Sequence, residues 1–467
     1  MRLFAPDDQR PVHFMGVAGA GMSALALVAR RRGVQVTGCD READGGGAAA
    51  VADVRRAGVQ VLGGHDPSHV EGVRGLVVSS AVSAEHPEVR RARELGVPVV
   101  RRAEALAEVV APGVVVAVAG THGKTTTTVM TAEALVAAGA NPTAIAGGRV
   151  EWWGGNALLG GDDLFVVEAD EYDRSFLALK PQVAVINNVE ADHLECYGSI
   201  GALEEAFARF AHPADRVIVG SDDGGAARVA TRIHSPVWKT GTAPDSDVRI
   251  VVGSRDETGS AATVHLPTGQ AVRLQLRVPG MHSVRNAAAA LAVCAALGLD
   301  VERAAGALSR FRGVGRRFEV VGEAVGVVVV DDYAHHESEI AATLEGARQA
   351  YPGRRLVAAF QPHLYSRTAE HGVAMGRALA TADLVVVTDV YAAREAPLPG
   401  VTGRIVAEAA EAAGAAVRWV AERAMLARDL AAAVRAGDVV LTMGAGDITA
   451  VGAELLSLLG AGAGRGT

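Results

Sequence analysis

Residues 117–126 read Ala-Val-Ala-Gly-Thr-His-Gly-Lys-Thr-Thr and follow directly on the apolar run 114–118. An apolar strand, a Gly-rich turn, Lys-Thr and then a helical stretch form a cradle for a nucleoside triphosphate, ATP. Backbone N–H groups and the helix N-terminus face the phosphates, Lys124 supplies a cation, and the Thr125 hydroxyl can hold Mg²⁺. The loop is short, Gly120-x-x-Gly123-Lys124-Thr125, with Val118 where the longer form of this motif has glycine. A strand-to-helix turn that binds nothing would explain the glycines. It would not explain the lysine, because the chain has only Lys124, Lys180 and Lys239. The phosphate-binding residues expected are Gly120, Thr121, His122, Gly123, Lys124, Thr125 and Thr126.

Two further apolar runs end in acidic clusters. Residues 164–167 lead into Glu168-Ala-Asp170-Glu171-Tyr172-Asp173, and 183–186 lead into Asn187-Asn188-Val-Glu190-Ala-Asp192-His193. In a parallel sheet these ends converge on the edge that carries the lysine loop. Carboxylates beside a triphosphate repel it unless divalent cations lie between, which suits Mg²⁺ held by one or two side chains plus phosphate oxygens. The cluster that begins at Glu168 is therefore expected near such ions, and His193, just past a buried strand and beside Asp192, is expected in a metal or phosphate role. Asn286, near the start of an Ala-rich helix, either reads an adenine edge or caps that helix.

The flanking segments carry similar strand ends. Residues 12–15 run into Gly16-Val-Ala-Gly19-Ala-Gly21-Met22-Ser23, and a second strand at 34–38 ends at Cys39-Asp40. This is a Rossmann-type opening in which Ala18 replaces one fingerprint glycine, weakening a dinucleotide reading but leaving a phosphate-binding turn. Gly19, Gly21, Met22, Ser23, Asp40 and, past a strand at 76–78, Ser80 are the expected substrate contacts. Beyond residue 313, four apolar strands end in Asp331-Asp332-Tyr333-Ala-His335-His336, Gln361-Pro-His363-Leu-Tyr-Ser-Arg367, Asp389-Val-Tyr391 and Gly444-Ala-Gly446-Asp447. The His-His pair lacks the context of a zinc site. The mixed charges at this edge suit an amino acid, with a carboxylate to clamp and an amine to hold.

Positioning these ends takes more than one core. A chain of 467 residues with 49% hydrophobic residues implies about three α/β domains. The divisions expected are 1–110, a Rossmann-like N-terminal domain; 111–312, a central P-loop ATPase-type domain; and 313–467, a C-terminal doubly wound α/β domain. A net charge of −8 gives no general pull toward nucleic acid. Cys39, Cys196 and Cys294 are far apart without metal-ligand spacing, which favours buried thiols in a reducing cytosol. There is no signal peptide pattern, and no stretch apolar enough to span a bilayer, so a cytoplasmic protein is expected.

Taken together, these segments resemble the Mur ligase family over nearly the full chain. The resemblance rests on Gly16-x-x-Gly19-x-Gly21-Met22-Ser23, Gly120-Thr-His-Gly-Lys-Thr-Thr-Thr-Thr128, Glu168-Ala-Asp-Glu171, Asn188-x-Glu-x-Asp192-His193, Arg316-Arg317-Phe-Glu319, Asp331-Asp-Tyr-Ala-His-His336 and Phe360-Gln-Pro-His363. It implies a UDP-binding N-terminal domain, a central ATPase domain and a C-terminal domain that meets an amino acid. Within the family, the alanine-adding branch is the most similar, implying UDP-N-acetylmuramic acid and L-alanine as substrates, and a monomer or homodimer.

Carried over by position, Lys124 would hold the β,γ-phosphates, Thr125 and Glu168 one Mg²⁺, and His193 a second. Asn286 would meet adenine, Arg317 and Asp332 nucleotide or phosphate, and His336, His363 and Arg367 the alanine end, with His336 as base for the amine. Tyr172, Glu337 and Leu364 depart from the family pattern. Leu364 stands where Arg is frequent, which leaves the alanine carboxylate to Arg367. Other branches use a carbamylated lysine past the Asp-His element, and this chain has no lysine from 181 to 238. The competing readings are a recycling ligase that adds a peptide to the same sugar nucleotide, a folate polyglutamate ligase, an NAD-dependent oxidoreductase and a nucleotide-switched binding protein.

Overall fold

The computed structural model describes residues 3–41, 43, 49–393 and 395–463. The outer limits of the first and last expected domains, residues 1 and 467, lie outside these. Among the described residues the strands form three sheets, each largely parallel and interleaved with helices. Their central strands are near-continuous runs of Val, Ala, Leu and Ile, as expected for strands covered on both faces.

In the first sheet the order is Gln60–Gly63, Val36–Asp40, Val12–Met15, Gly75–Val78, Val99–Arg101, with every pair parallel. The chain winds one way from Val12–Met15 and then back the other way. The switch lies between Val12–Met15 and Gly75–Val78, so the turn at Gly16 and the Ser79-Ser80 end share the crevice where ligands of such sheets bind.

The second sheet places Val114–Ala119 between Val183–Ile186 and Leu164–Glu168, again parallel. Register pairs Val118 with Glu168 and Ala119 with Ile186. The lysine loop therefore leaves the sheet beside both acidic clusters. Thr143–Val150 and Gly155–Leu158 extend this sheet on the far side of Leu164–Glu168, as an antiparallel pair that sequence reasoning had not marked.

The third sheet has the order Glu319–Ala324, Val327–Asp332, Val439–Met443, Leu356–Phe360, Leu384–Thr388, Val417–Val420. Four of these strands were expected. Glu319–Ala324 is an added antiparallel edge strand and Val417–Val420 an added parallel one. Both are half-exposed edges with mixed polarity, so neither stands out as an apolar run.

Compactness divides the chain into two units. One comprises residues 1–252, 262–275 and 285–310; the other comprises 253–261, 276–284 and 311–467. In the first unit the N-terminal and central sheets share one hydrophobic cluster that runs from Phe14 and Leu25 through Ile145 to Phe165 and Phe207. The helix Ala20–Arg31 packs directly on Thr143–Val150 and Gly155–Leu158, which is what fuses the cores. In the second unit separate clusters cover the two faces of the third sheet, one around Phe360 and Met375, the other around Leu426 and Leu455. Cys39 and Cys294 are buried as expected, whereas Cys196 is only half-buried. Among the described residues, no helix is long and apolar enough to cross a membrane.

Candidate active site

Lys124 is the first residue of the helix Lys124–Ala137 and directly follows the glycine turn. Gly120 and Gly123 have φ of +138° and +76°, a region that favours glycine. Space demands glycine as well. A Cβ on Gly120 would lie 3.0 Å from Asn187 Cβ, and one on Gly123 would lie 3.0 Å from Asn286 Oδ1. Asn286 thus sits against the loop, inside the helix Met281–Ala296 and not at its cap.

The loop is fastened from below by the second acidic segment. Thr121 N–H donates to the Asn188 carbonyl (3.1 Å) and His122 N–H to Asn188 Oδ1 (2.7 Å). Glu190 N–H donates to Thr121 Oγ1 at 2.9 Å, and Asn187 Nδ2 donates to Thr127 Oγ1 at 3.0 Å. These bonds consume side chains of 187–190 in shaping the cradle. Thr125 is buried one residue past the lysine, and Thr126 is half-buried.

The Lys124 amine donates to Gly120 O (2.8 Å) and to both carboxylate oxygens of Glu171 (2.8 Å each). Burial weighs against the charge on Lys124, yet Glu171, Asp170 and Glu168 outweigh it and raise the ammonium above its ordinary value. Burial also pushes the Glu171 carboxyl up, with Lys124 pulling the other way. Glu171 was part of the acidic motif but not an expected site residue. The sequence signal that could have found it is the scarcity of lysine, since a buried ammonium requires a carboxylate beside it.

Glu168 is half-buried at the end of its strand and accepts from Gly147 N–H at 2.6 Å. A Cβ on Gly147 would fall 2.6 Å from Glu168 Oε1. Gly147→Ala should therefore displace the carboxylate end while leaving the fold intact, because the obstructing atom ends a flexible side chain. We expect at least about a tenfold loss of turnover with an unchanged melting temperature, measured side by side. An unaltered turnover would separate Glu168 from the chemistry.

His193 has φ of +55° at the start of the short helix Leu194–Tyr197. Its ring lies between Asp192 Oδ2 (3.6 Å) and Glu195 Oε1 (3.5 Å) and meets the Tyr172 ring edge-on at 5.0 Å. Asp170 shapes the intervening turn by accepting from Tyr172 N–H.

In the N-terminal sheet, Asp40 Oδ2 accepts from Ala18 N–H at 2.9 Å and so holds the glycine turn itself. A Cβ on Gly21 would lie 2.8 Å from Arg102 Nη1, so the missing side chain lets a guanidinium lie against the helix N-terminus. Met22 and Ser23 are buried, and the Ser23 hydroxyl donates to Ala20 O. Gly19 is the N-cap of this helix, and Ser80 is exposed past its strand.

The second unit has its own polar edge. Asp332 is buried at the end of Val327–Asp332 and accepts from Phe318 N–H and Ala334 N–H, each at 2.8 Å. Burial pushes its carboxyl up to about 6, with Arg317 opposing. Arg317 also pairs with Glu339 at 3.2 Å and lies over the Tyr333 ring. His336 is buried at the N-cap of Glu337–Ala350, 3.4 Å from Glu337 and ring-to-ring with His371 at 4.9 Å. Burial works against the charge of Glu337, but His371 and His336 hold its carboxyl below the usual range. His363 stacks on Tyr391 at 5.8 Å, and its ring centroid is 6.3 Å from that of His335. Leu364 adopts φ of +67°, with Arg367 buried on the helix Tyr365–Leu379 that follows.

Two sets of expected residues are thus assembled. Lys124, Thr125, Glu168 and Asn286 gather around the loop of the first unit, while Arg317 and Asp332 lie together at the sheet edge of the second, where the ring beside His363 is that of His335, which was not an expected site residue.

Comparison with known proteins matches three family profiles in order: "Mur ligase family, catalytic domain" at residues 11–112, "Mur ligase middle domain" at 118–294 and "Mur ligase, glutamate ligase domain" at 316–446. A UDP-N-acetylmuramate–L-alanine ligase of Kineococcus radiotolerans is 46% identical over 459 residues, covering 96% of both chains. One from Cutibacterium acnes is 43% identical and covers 98% of both. Among solved structures, the UDP-N-acetylmuramate-alanine ligase of Thermotoga maritima aligns with a TM-score of 0.82 at 29% identity, covering 97% of this chain and 99% of that one. A murein peptide ligase of Psychrobacter arcticus aligns at 0.72 and 26%, with the same coverage. With a lysine loop seated between two acidic strand ends, and relatives this similar end to end, the chain belongs to the Mur ligase family.

Proposed function

We infer that this chain is the ATP-dependent ligase that joins L-alanine to the lactyl carboxylate of UDP-N-acetylmuramic acid, a cytoplasmic step of peptidoglycan precursor synthesis. The observation that carries the reading is end-to-end identity of 43–46% to ligases of that name, in a chain that keeps Lys124 fixed in the phosphate loop. Residues 1–110 take the UDP-sugar, 111–312 the ATP and 313–467 the amino acid, a division in line with the three matched profiles.

Joining a carboxylate to an amine in water is uphill, so ATP activates the acid. The lactyl carboxylate oxygen attacks the γ-phosphorus in line, the bond to the bridging oxygen breaks, and ADP leaves. Lys124 and the amides at the start of Lys124–Ala137 offset charge on the phosphoryl oxygens. The neutral amine of alanine then attacks the acyl carbon, phosphate leaves, and the amine proton passes to a base, the role assigned to His336. Closure over the reactants keeps water from the acyl phosphate.

The donors around the loop suit Mg²⁺: a hydroxyl at Thr125, in the first turn of the helix Lys124–Ala137, and a carboxylate at Glu168, at the end of the strand beside Val114–Ala119, both hard oxygen ligands. Those two would hold one ion and His193 would help place a second. When bound, such ions would neutralise charge that develops on the phosphoryl oxygens. Asn286 is assigned to adenine, supported by its contact distance to Gly123. Arg317 and Asp332 are assigned to nucleotide or phosphate. Gly19, Gly21, Met22, Ser23, Asp40 and Ser80 are assigned to the sugar nucleotide, with His363 and Arg367 at the alanine end.

A murein peptide ligase remains the second reading, favoured by the likeness to the Psychrobacter arcticus structure. Phosphate release from ATP and UDP-N-acetylmuramate, scored with L-alanine, glycine, L-serine and a short peptide, decides between them. L-alanine is expected to give the highest kcat/KM. A preference for the peptide would transfer the chain to the recycling reaction, and release indifferent to any acceptor would defeat both readings.

A further inference from the structure

The N-terminal sheet buries a group of side chains that the ligase reaction does not use. His13, on Val12–Met15, and Cys39, on Val36–Asp40, are fully buried on one face of the sheet. His69, from the 3-10 turn Pro67–Val70, and Glu88, from the helix Pro87–Glu94, close over them. One ligand atom from each of the four lies within 4.8 Å of every other.

We propose that His13, Cys39, His69 and Glu88 form a structural site for one divalent transition-metal ion, with zinc as the fitting one. The donor set of two imidazoles, a thiolate and a carboxylate is one that zinc accepts, in the closed four-coordinate arrangement of structural sites. The separations are near those of such a site. Cys39 Sγ lies 3.4 Å from Glu88 Oε1, and His69 Nδ1 lies 3.0 Å from the same oxygen. Ligands about 2.0–2.3 Å from a tetrahedral ion would stand roughly 3.3–3.7 Å apart, so these two pairs already stand near that spacing and the other pairs, within 4.8 Å, would draw in on binding.

Two observations separate this group from an ordinary polar core. First, His13 Nε2 is buried with no hydrogen-bond partner, while Nδ1 of the same ring is held by Thr37 Oγ1 at 2.8 Å. One nitrogen oriented by an outer partner and the other left bare is how a metal-bound histidine is set up. Second, Glu88 is fully buried, and its ion-pair partners among the described residues are His65 and His69, which carry charge only when protonated. A dication beside one thiolate and one carboxylate leaves the cluster neutral, which removes the cost of the buried charge.

His65, with Nδ1 3.2 Å from Cys39 Sγ, stands outside the four as a further partner of the sulfur. The Cys39 thiol would give up its proton to solvent when the ion binds. The site would tie together the two strands that frame the Gly16 turn, since Gly16 N–H donates to Cys39 O at 2.8 Å.

The test uses the full chain, stripped with a chelator and titrated with Co²⁺. One equivalent should bind with the visible bands of four-coordinate cobalt and a near-ultraviolet thiolate charge-transfer band. Zn²⁺ should displace it, and elemental analysis should find one zinc per chain after reconstitution. The thiolate band should vanish in Cys39→Ser. If that variant fails to fold, His69→Gln, on a turn near the surface, should weaken zinc binding about a hundredfold, and Thr37→Val about tenfold. No thiolate band in the wild type, a band that survives Cys39→Ser, or zinc affinity unchanged in His69→Gln would each overturn the site. Mg²⁺ chemistry at the phosphate loop gives no thiolate signal, so the outcome is independent of the ligase reading.

Discussion

Lys124→Ala is expected to abolish alanine-dependent ADP release while leaving affinity for UDP-N-acetylmuramate nearly intact. The side chain is held where the 120–124 loop begins its helix, so its loss removes the cation assigned to the transferring phosphoryl group. Removing one preorganised donor from such a site costs about 10²–10³ in kcat, and a full positive charge belongs at the upper end. The sugar nucleotide is assigned to a different sheet, at the switch between Val12–Met15 and Gly75–Val78, so its affinity reports on folding and not on the lysine. Turnover within tenfold of wild type would remove Lys124 from the reaction. A parallel loss of sugar-nucleotide affinity would mean that the variant had lost structure.

Glu171→Ala is expected to act on stability. Glu171 is 2% exposed and grips the lysine with both oxygens. Truncation leaves an ammonium in a largely dehydrated place with only the more distant Asp170 and Glu168 to compensate. Removing one partner of a buried pair typically destabilises by about 3–5 kcal/mol. The lysine side chain keeps 15% exposure, so about 3 kcal/mol is the better figure for this pair. The melting transition of the first unit should fall by several degrees, and Lys124→Met in the same background should restore much of it by removing the stranded charge. A double variant no more stable than Glu171→Ala would show that the pair is not what holds the turn.

The elements that carry the site were legible because parallel strands covered on both faces must be continuous apolar runs. Val114–Ala119, Leu164–Glu168 and Val183–Ile186 are such runs, and their polar ends sit together because register aligns Val118 with Glu168 and Ala119 with Ile186. Glu319–Ala324 and Val417–Val420 were not legible, since edge strands face solvent and carry no such signal. Within the acidic cluster, nothing local to Glu168-Ala-Asp-Glu171 says which carboxylate takes the lysine. That choice is made by the 3-10 turn beginning at Tyr172, where Asp173 and Arg174 adopt positive φ. The cysteines read as isolated for a similar reason. The partners of Cys39 come from residues 13, 69 and 88, brought together by sheet order and not by sequence spacing.

The shared cluster of the first unit bears on how such a chain can be recombined. A graft that exchanged only the N-terminal sheet and its helices for those of a relative would cut between Leu25 and Ile145, across a continuous oily seam, and both new faces would need repacking. The third sheet, by contrast, carries a separate cluster on each of its faces, so substitutions there leave that seam untouched. Under the assignment proposed above, any exchange at the sugar-nucleotide sheet would therefore also disturb the packing beneath the phosphate loop.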